Sequence, residues 1–497
     1  MQSPDPDQPA TPVMSWSLHQ TRTAIEAADD WMPHREMAAS AWKRWRADSA
    51  IPGGTPFLLS PEMTYDVALN TFFYSPDMLR ARRSTRIGYA GDLKRFLTFL
   101  HHNRGGTDWR NAEENDHRAY LVWRREDPDG PRVSDSTWDR ELSAVNRFYN
   151  WQLRQGNVRV SPIPQRNYRF SGRSGPRTAE PGQTAATYSH GRRRERIQWF
   201  AASSYRLWRD VGVRGYDRDG LPDSTFRGRW AARNATFVDL MVRTGMRLAE
   251  QASLTTFEIP GADRGGGYRR FWLPEAIAKG RSARWVYVPM SVLRAIAEYV
   301  EMDRCSVVDR ARAAGAYQQL PESSFVVDGD TGKAWTPGRA TRVKVSHLTP
   351  IERRVLYVET DLGLEPAALW LSESGDPLSI SLWKSMFRDA NRRCQRAGVD
   401  LHGHAHMLRH TFAVLTLEQM QRGHIASLSN MSPDERGHYT RIFGDPLDWV
   451  RCRLGHASVT TTQIYLHALE ELEMETRMKL VPDAWDDPRI ADPGGQQ

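Results

Sequence analysis

Residues 166–190 hold glycine, serine, proline, threonine and arginine without any apolar period, the composition of a linker rather than of a core element. The patterns on its two sides differ. Upstream, apolar residues recur at helical spacing. Downstream, helical runs alternate with short β-like ones. At 497 residues the chain is longer than one core usually holds, so separate domains flanking this stretch are expected. The fold class expected is mainly α with a small β-sheet (α+β).

Hydrophobic residues make up 40% and charged residues 26%, values that suit a globular protein in water. No apolar run reaches the roughly 18 residues a membrane helix needs, so no membrane partner is expected. The start, MQSPDPDQPATP, lacks the basic and apolar regions of a secretory signal. Cys305, Cys394 and Cys452 are far apart and odd in number, which argues against a disulfide framework and a cysteine-rich zinc site. A reducing, cytoplasmic location follows. The net charge of +8 is modest for this length and permits a polyanionic partner without demanding one. Nearly all of the positive charge is arginine, which forks phosphates bidentately, and lysine is scarce.

Residues 1–60 form an N-terminal extension of unassigned role. A helix is expected from about 15 to 47, with Trp16, Leu18, Ile25, Ala28 and Trp31 on one face, and IPGGTP at 51–56 breaks the pattern. Residues 61–165 read as a helical domain. One helix covers 84–100, with apolar positions 89, 93, 96, 97 and 100 on a face and Arg86, Lys94 and Arg95 elsewhere. A second covers 115–126. A third covers 136–155 and carries Arg140, Arg147 and Arg154 outside its apolar stripe. These arginines and Lys94 are candidate DNA-backbone contacts, with solvated helix faces as the competing account. The basic run GRRRERIQW at 191–199 opens the next region, 191–480, and a flexible tail is expected over 481–497.

Four short pieces of that region carry chemistry. TGMRLAE at 244–250 closes an apolar helix with a glycine and presents Arg247 at a helix junction. AKGRSARWVYVP at 278–289 reads as a hairpin with Lys279 at the turn, and Arg281 beside it is a further candidate phosphate contact. HMLRH at 406–410 places His406, Arg409 and His410 on one helix face, a cation and imidazoles that suit a phosphate. LGH at 454–456 is followed by a Ser/Thr-rich helix start and by Tyr465. A half-buried helix tyrosine is the commoner reading of Tyr465 alone. His402, His404 and His406 alternate like metal ligands, with His410 near. A metal hydrolase would also need convergent carboxylates, and no HExxH-like motif supplies them.

Taken in order, TGMRLAE, AKGRSARWVYVP, HMLRH and LGH-x8-Y resemble the catalytic domain of the tyrosine recombinase (phage integrase) family. WLS at 370–372 and GDPLS at 375–379 support that resemblance, and TWDRELSAV at 137–145 before FYNW at 148–151 is similar to the family's helical core-binding domain. The resemblance covers roughly 65–165, 230–300 and 368–475. It implies a core-binding domain and a catalytic domain forming a clamp around DNA. Arg247 and Arg409 would hold the non-bridging oxygens of a phosphodiester, with His456 as a third donor, each such donor being worth about 3–4 kcal/mol. Tyr465 would attack to give a 3′-phosphotyrosine and a free 5′-hydroxyl. His406 would assist the departing phenolic proton, Lys279 would protonate the leaving oxygen, Glu250 would orient Arg247, and His410 would support the site.

No cofactor and no metal are implied. The implied partners are double-stranded DNA, further copies of the chain as a homo-tetramer on two duplexes, and accessory proteins. The implied role is integration, excision or transposition of a mobile element at a bacterial nucleoid. The tail at 466–480 would dock on a neighbouring protomer. A relaxing enzyme of the type IB topoisomerase kind and a non-cleaving DNA-binding protein of the same fold are the alternatives. Two insertions, near 303–367 and 421–445, depart from the family's spacing, and the first shows no clean period.

Overall fold

The computed structural model describes residues 15–21, 51–168, 182–189, 197–262, 267–321, 324–327, 332–338, 342–429, 445–456, 458, 461–466 and 468–469, with the backbone alone at 168, 182–183 and 423–429. The parts of the N-terminal extension, the linker, the 421–445 insertion and the C-terminal tail that fall elsewhere lie outside the described residues. The chain divides into two compact units, Met1–Arg194 and Glu195–Gln497. It is mainly helical, with small sheets.

In the first unit, helices α1 (Arg83–Asn103), α2 (Glu114–Arg125) and α3 (Asp135–Arg154) pack around aromatic side chains. The Ser134 hydroxyl accepts the Thr137 N–H and starts α3, and Glu113 and Asp116 form a reciprocal cap on α2. Phe96 sits edge-on to Tyr120 at 5.1 Å and to Tyr149 at 6.1 Å between ring centroids. Leu93, Leu97, Leu142, Val145 and Phe148 complete the core. Burying each such side chain is worth roughly 1.5–3 kcal/mol.

Two expectations change here. Strand β1 (Ser17–Gln20) pairs antiparallel with β2 (Pro56–Leu59), where a helix was expected. Trp16 and Leu18 alternate with polar neighbours, the two-residue period of a strand, which is too short here to outweigh the helical spacing that follows. The expected linker is also partly ordered. β3 (Gln165–Tyr168) pairs with β4 (Gly182–Ala185), and the residues after β4 lie on the helices. The Trp138 indole donates to the Thr187 carbonyl at 2.8 Å, and Ser189 N–H donates to Asp139 at 2.8 Å. Composition reports the freedom of each residue; it does not report backbone groups finding partners on a neighbouring helix.

In the second unit, α4 (Ala202–Arg209), α5 (Ala231–Thr244), α6 (Leu248–Gln251), the hairpin β5 (Tyr268–Leu273) and β6 (Arg284–Pro289), α7 (Met290–Glu298) and α8 (Cys305–Ala313) precede an inserted sheet. Helices α9 (Ile380–Arg396), α10 (Ala405–Ser429) and α11 (Pro446–Leu454) follow it, and 461–466 are helical. Phe237 of α5 stacks on Trp383 of α9 at 3.5 Å between ring centroids, with Trp370 edge-on to both.

The first insertion folds as a five-stranded sheet: β7 (Phe325–Val327), β8 (Lys333–Trp335), β9 (Arg342–Lys344), β10 (Leu356–Thr360) and β11 (Gly363–Pro366), in the order β11-β10-β7-β8-β9. Its strands span three to five residues, too short to display a period in sequence. It has its own core of Val327, Ala334, Val345, Leu348, Leu356 and Ala367. Buried Arg353 anchors it, donating to Glu258 at 2.7 Å and to the Ser253 carbonyl at 3.2 Å.

Candidate active site

Two left-handed helix ends build the site. Gly245 ends α5 at φ +64°, and a Cβ there would meet the Phe412 ring at 2.3 Å. Gly455 ends α11 at φ +64°, where a Cβ would meet the Ser282 hydroxyl at 2.8 Å. Only glycine takes both the dihedral and the space. The helix ends leave carbonyls unpaired, and Arg409 of α10 collects one from each. Its guanidinium donates to the Gly245 and Leu454 carbonyls, both at 2.5 Å. Arg409 is 2% exposed and has no carboxylate partner among the described residues. Burial, then Arg247, pulls it down to about 9.

Beyond Gly245 the chain turns and Arg247 caps α6. Glu250, 1% exposed, gathers the surrounding donors. It accepts the Arg247 N–H and the Arg247 guanidinium, both at 3.0 Å, and the Lys279 N–H at 3.1 Å. It also accepts from the Arg284 guanidinium at 2.6 Å. Burial pushes the Glu250 carboxyl up, but Arg284 and Arg247 outweigh it and hold it down at about 2. Lys279 begins a tight turn in the β5–β6 connection, with Gly280 at φ +69°, and its side chain is exposed while its backbone is tied to Glu250.

Tyr465 is 1% exposed, in a cluster with Phe412, Val414, Val450 and Leu454. Its hydroxyl lies 3.0 Å from His410 Nδ1. Burial pushes it up to about 12, partly offset by Arg409 and Arg247. The His456 ring lies nearly parallel to it, 11° between planes with centroids 6.3 Å apart, and His456 Nδ1 is 3.0 Å from the Thr462 hydroxyl. Burial, then Arg409 and Arg247, lowers His456 to about 4. Burial, then His406 and Arg409, lowers His410 to about 3. His406 is lowered by burial and Arg409, and its ring centroid is 4.2 Å from that of His410. All three imidazoles are therefore neutral near pH 7. His410, not His406, is the hydrogen-bond partner of Tyr465, a correction to the sequence expectation. One helical turn separates the two histidines, so spacing alone did not choose between them.

The structure thus gathers Arg247, Glu250, Lys279, His406, Arg409, His410, His456 and Tyr465. It adds Arg284, 6% exposed, which sequence reasoning passed over. A signal existed: Arg284, Val286 and Val288 share one phase of β6, so the arginine falls on the buried face. Two guanidiniums pair with one carboxylate and Arg409 adds a third cation without one, an arrangement that favours an anion. His404 Nδ1 accepts the Met407 N–H at 3.2 Å and caps α10. Among the described residues no group of three His, Cys, Asp or Glu side chains converges as for a metal ion.

The candidate DNA contacts fare unevenly. Arg86 is buried, 9% exposed, because 86, 90, 93 and 97 fall on one helix face and carry it into the apolar stripe. Arg95 pairs with Asp92 at 2.7 Å and Glu141 at 3.1 Å, and Arg140 pairs with Asp92 at 2.6 Å. Both are committed to a buried acid cluster within their own unit. Lys94 is half-buried. Arg147 is exposed, and Arg281 is exposed with Glu275 at 3.5 Å.

Residues 77–156 match the family profile described as the N-terminal SAM-like domain of phage integrases, and residues 225–421 match the phage integrase family. The second match ends before His456 and Tyr465, whose roles rest on motif and geometry. Tyrosine recombinase XerC of Lactobacillus delbrueckii subsp. bulgaricus is 23% identical over 396 residues, 79% of this chain and 91% of the relative. XerC of Salmonella typhi is 31% identical over 148 residues, 28% of this chain and 39% of the relative. A crystal structure of XerH site-specific recombinase bound to palindromic difH substrate covers 85% of this chain and 87% of its own, at 15% identity and a TM-score of 0.46.

Proposed function

The chain belongs to the phage integrase family of tyrosine recombinases, and on that premise we propose that Tyr465 cuts a DNA strand at a specific site and that the same site rejoins it. The observation that carries this reading is a buried tyrosine, hydrogen-bonded to a neutral histidine, beside guanidiniums that outnumber their carboxylate. A phosphodiester supplies the missing negative charge, and that charge grows in the pentavalent transition state. Arg247 and Arg409 hold its non-bridging oxygens. His456 Nδ1 pairs with the Thr462 hydroxyl; in this reading the hydroxyl is the donor, so the imidazole proton sits on Nε2 and faces the phosphate.

Tyr465 Oη bonds to phosphorus and the bond to the 5′-oxygen breaks. The phenolic proton has its nearest acceptor in His410, and Lys279 delivers a proton to the leaving oxygen. Bound phosphate also offsets the cations that hold the histidines down, which raises their proton affinity on binding. The phosphotyrosine keeps the bond energy, so rejoining needs neither ATP nor a metal. The biological role in this reading is movement of a mobile element by four protomers on two duplexes.

Covalent capture tests it. Wild type and Tyr465→Phe are incubated with sheared DNA from the source genome in excess EDTA, then denatured in detergent. Adducts from wild type alone, clustered at an inverted repeat, are expected. Scattered adducts point to a relaxing enzyme instead. Equal adducts from the Phe variant remove Tyr465 as the nucleophile.

A further inference from the structure

The inserted sheet carries a charged face that the active-site chemistry leaves unused. Across β8 and β9, Lys333 stands opposite Lys344, Ala334 opposite Val343 and Trp335 opposite Arg342. Side chains alternate across a strand. Ala334 and Val343 therefore share the face that packs into the sheet's own core, and Lys333, Trp335, Arg342 and Lys344 share the other. The three cations are exposed and Trp335 is half-buried. The Arg342 guanidinium lies 5.9 Å from the centroid of the Trp335 ring. Neither strand contains an acidic residue.

Lysine on an edge strand is a common guard against edge-to-edge pairing. That guard accounts for β9, which is an edge. It does not account for Lys333 on the interior strand β8. Like charges directly opposite one another destabilise a strand pair, yet two of the chain's seven lysines are spent here. A half-bared tryptophan beside them, opposite Arg342, adds an aromatic face. The sheet is also held firmly. Arg353 ties it to Ser253 and Glu258, and Thr255 bridges to Ala368, so it is fixed to the stretch that follows Arg247 and Glu250.

We propose that this face binds the sugar–phosphate backbone of duplex DNA, at phosphates other than the one held by Arg247 and Arg409. The cations suit phosphates, and the indole offers a surface to a sugar. The inference rests on the reading that the chain acts on DNA, and it makes the insertion a second grip on the same duplex.

The test uses the full chain and a fluorescently labelled duplex of random sequence, titrated by anisotropy across a salt series. Each phosphate contact contributes about 0.9 to the slope of log affinity against log salt. Lys333→Gln/Arg342→Gln/Lys344→Gln is expected to bind more weakly at low salt, with a slope shallower by about 2 to 3. Its melting temperature should not fall below wild type, because the altered side chains are exposed and the opposed lysine charges are removed. Arg388→Gln/Arg392→Gln/Arg396→Gln removes the same charge from the exposed side of α9 and should keep the wild-type slope. A wild-type slope in the sheet variant, or an equal loss in the α9 variant, overturns the proposal. If the triple variant fails to fold, Lys344→Gln alone carries the test through a slope change of about 0.9. Failure of the wild type to bind duplex at all overturns the DNA reading itself, a result distinct from the others.

Discussion

The two units each bury carboxylates among arginines, and the two clusters close differently. In the helical unit, Asp92 and Glu141 are both 0% exposed and face Arg95, Arg124 and Arg140. Two negative charges meet three positive ones, and two of those three guanidiniums reach solvent, at 43% and 47% exposure. Burial raises Asp92 even so, with Arg140 and Arg95 opposing it. In the second unit Glu250 stands alone against Arg247, Arg284 and Arg409. Two of those cations are buried, so the surplus charge is not relieved by water. The helical unit's cluster is complete without a ligand, whereas the other lacks an anion. Arginine on a helix is therefore a poor guide to DNA contact; an unbalanced buried guanidinium is a better one.

The strongest way to break this contrast is to remove each central carboxylate. Glu250→Gln and Glu141→Gln should each destabilise their own unit by about 3–5 kcal/mol, since each leaves buried guanidiniums unpaired. Denaturant unfolding measures this. Adduct formation by the folded fraction should slow for Glu250→Gln and stay at wild-type rate for Glu141→Gln. Equal slowing in both would erase the distinction drawn here.

Next in size is Arg409→Ala, expected to lower the cleavage rate by about 10²–10³-fold, or roughly 3–4 kcal/mol. Arg124→Ala, at an arginine also buried but paired with Glu141, should leave the cleavage rate of folded protein unchanged. Single-turnover adduct kinetics separate them.

Protons sharpen the contrast further. His456 and His410 are held near 4 and 3 in the folded, DNA-free protein, below the ordinary 6.5, and His406 is lowered as well. Among the described residues of the helical unit there is one such group, His117, lowered by burial to about 4. A histidine kept neutral by folding takes up its proton only on unfolding. Stability is thus full above about 6.5 and is lost as pH falls towards 4, at up to about 1.4 kcal/mol per pH unit per group. The second unit should therefore lose stability more steeply over that range. Ring resonances of His410 and His456 should show no midpoint between pH 5 and 8 without DNA. A midpoint near 6.5 for either would contradict the buried, cation-lined site.

The smallest effect concerns Arg95. Arg95 itself is half exposed, and its buried partners Asp92 and Glu141 keep Arg140 and Arg124, so Arg95→Ala should cost about 1 kcal/mol. The salt dependence of duplex binding should stay as in wild type. A shallower slope would return Arg95 to the list of phosphate contacts.

Much was written in the chain before any folding. The order TGMRLAE, AKGRSARWVYVP, HMLRH and LGH-x8-Y named the side chains that the structure gathers, because several of these candidate groups sit at helix ends and turns that glycine marks locally. The three long helices of the first unit were legible because 12 to 21 residues display a helical period several times over. What tertiary structure alone decided were the partnerships. Arg86 and Arg284 were drawn inward by the faces they occupy. Arg95 and Arg140 were claimed by Asp92 and Glu141, the latter contributed by another helix for Arg95. His410 was chosen over His406 by where Tyr465 lands. The inserted sheet took shape from strands too short to announce themselves. Local sequence records which backbone shape a segment prefers, whereas the partner of a buried charge comes from residues as distant as 164 positions, between Arg409 and Gly245, or 169, between Arg284 and Arg453, and only packing brings them together.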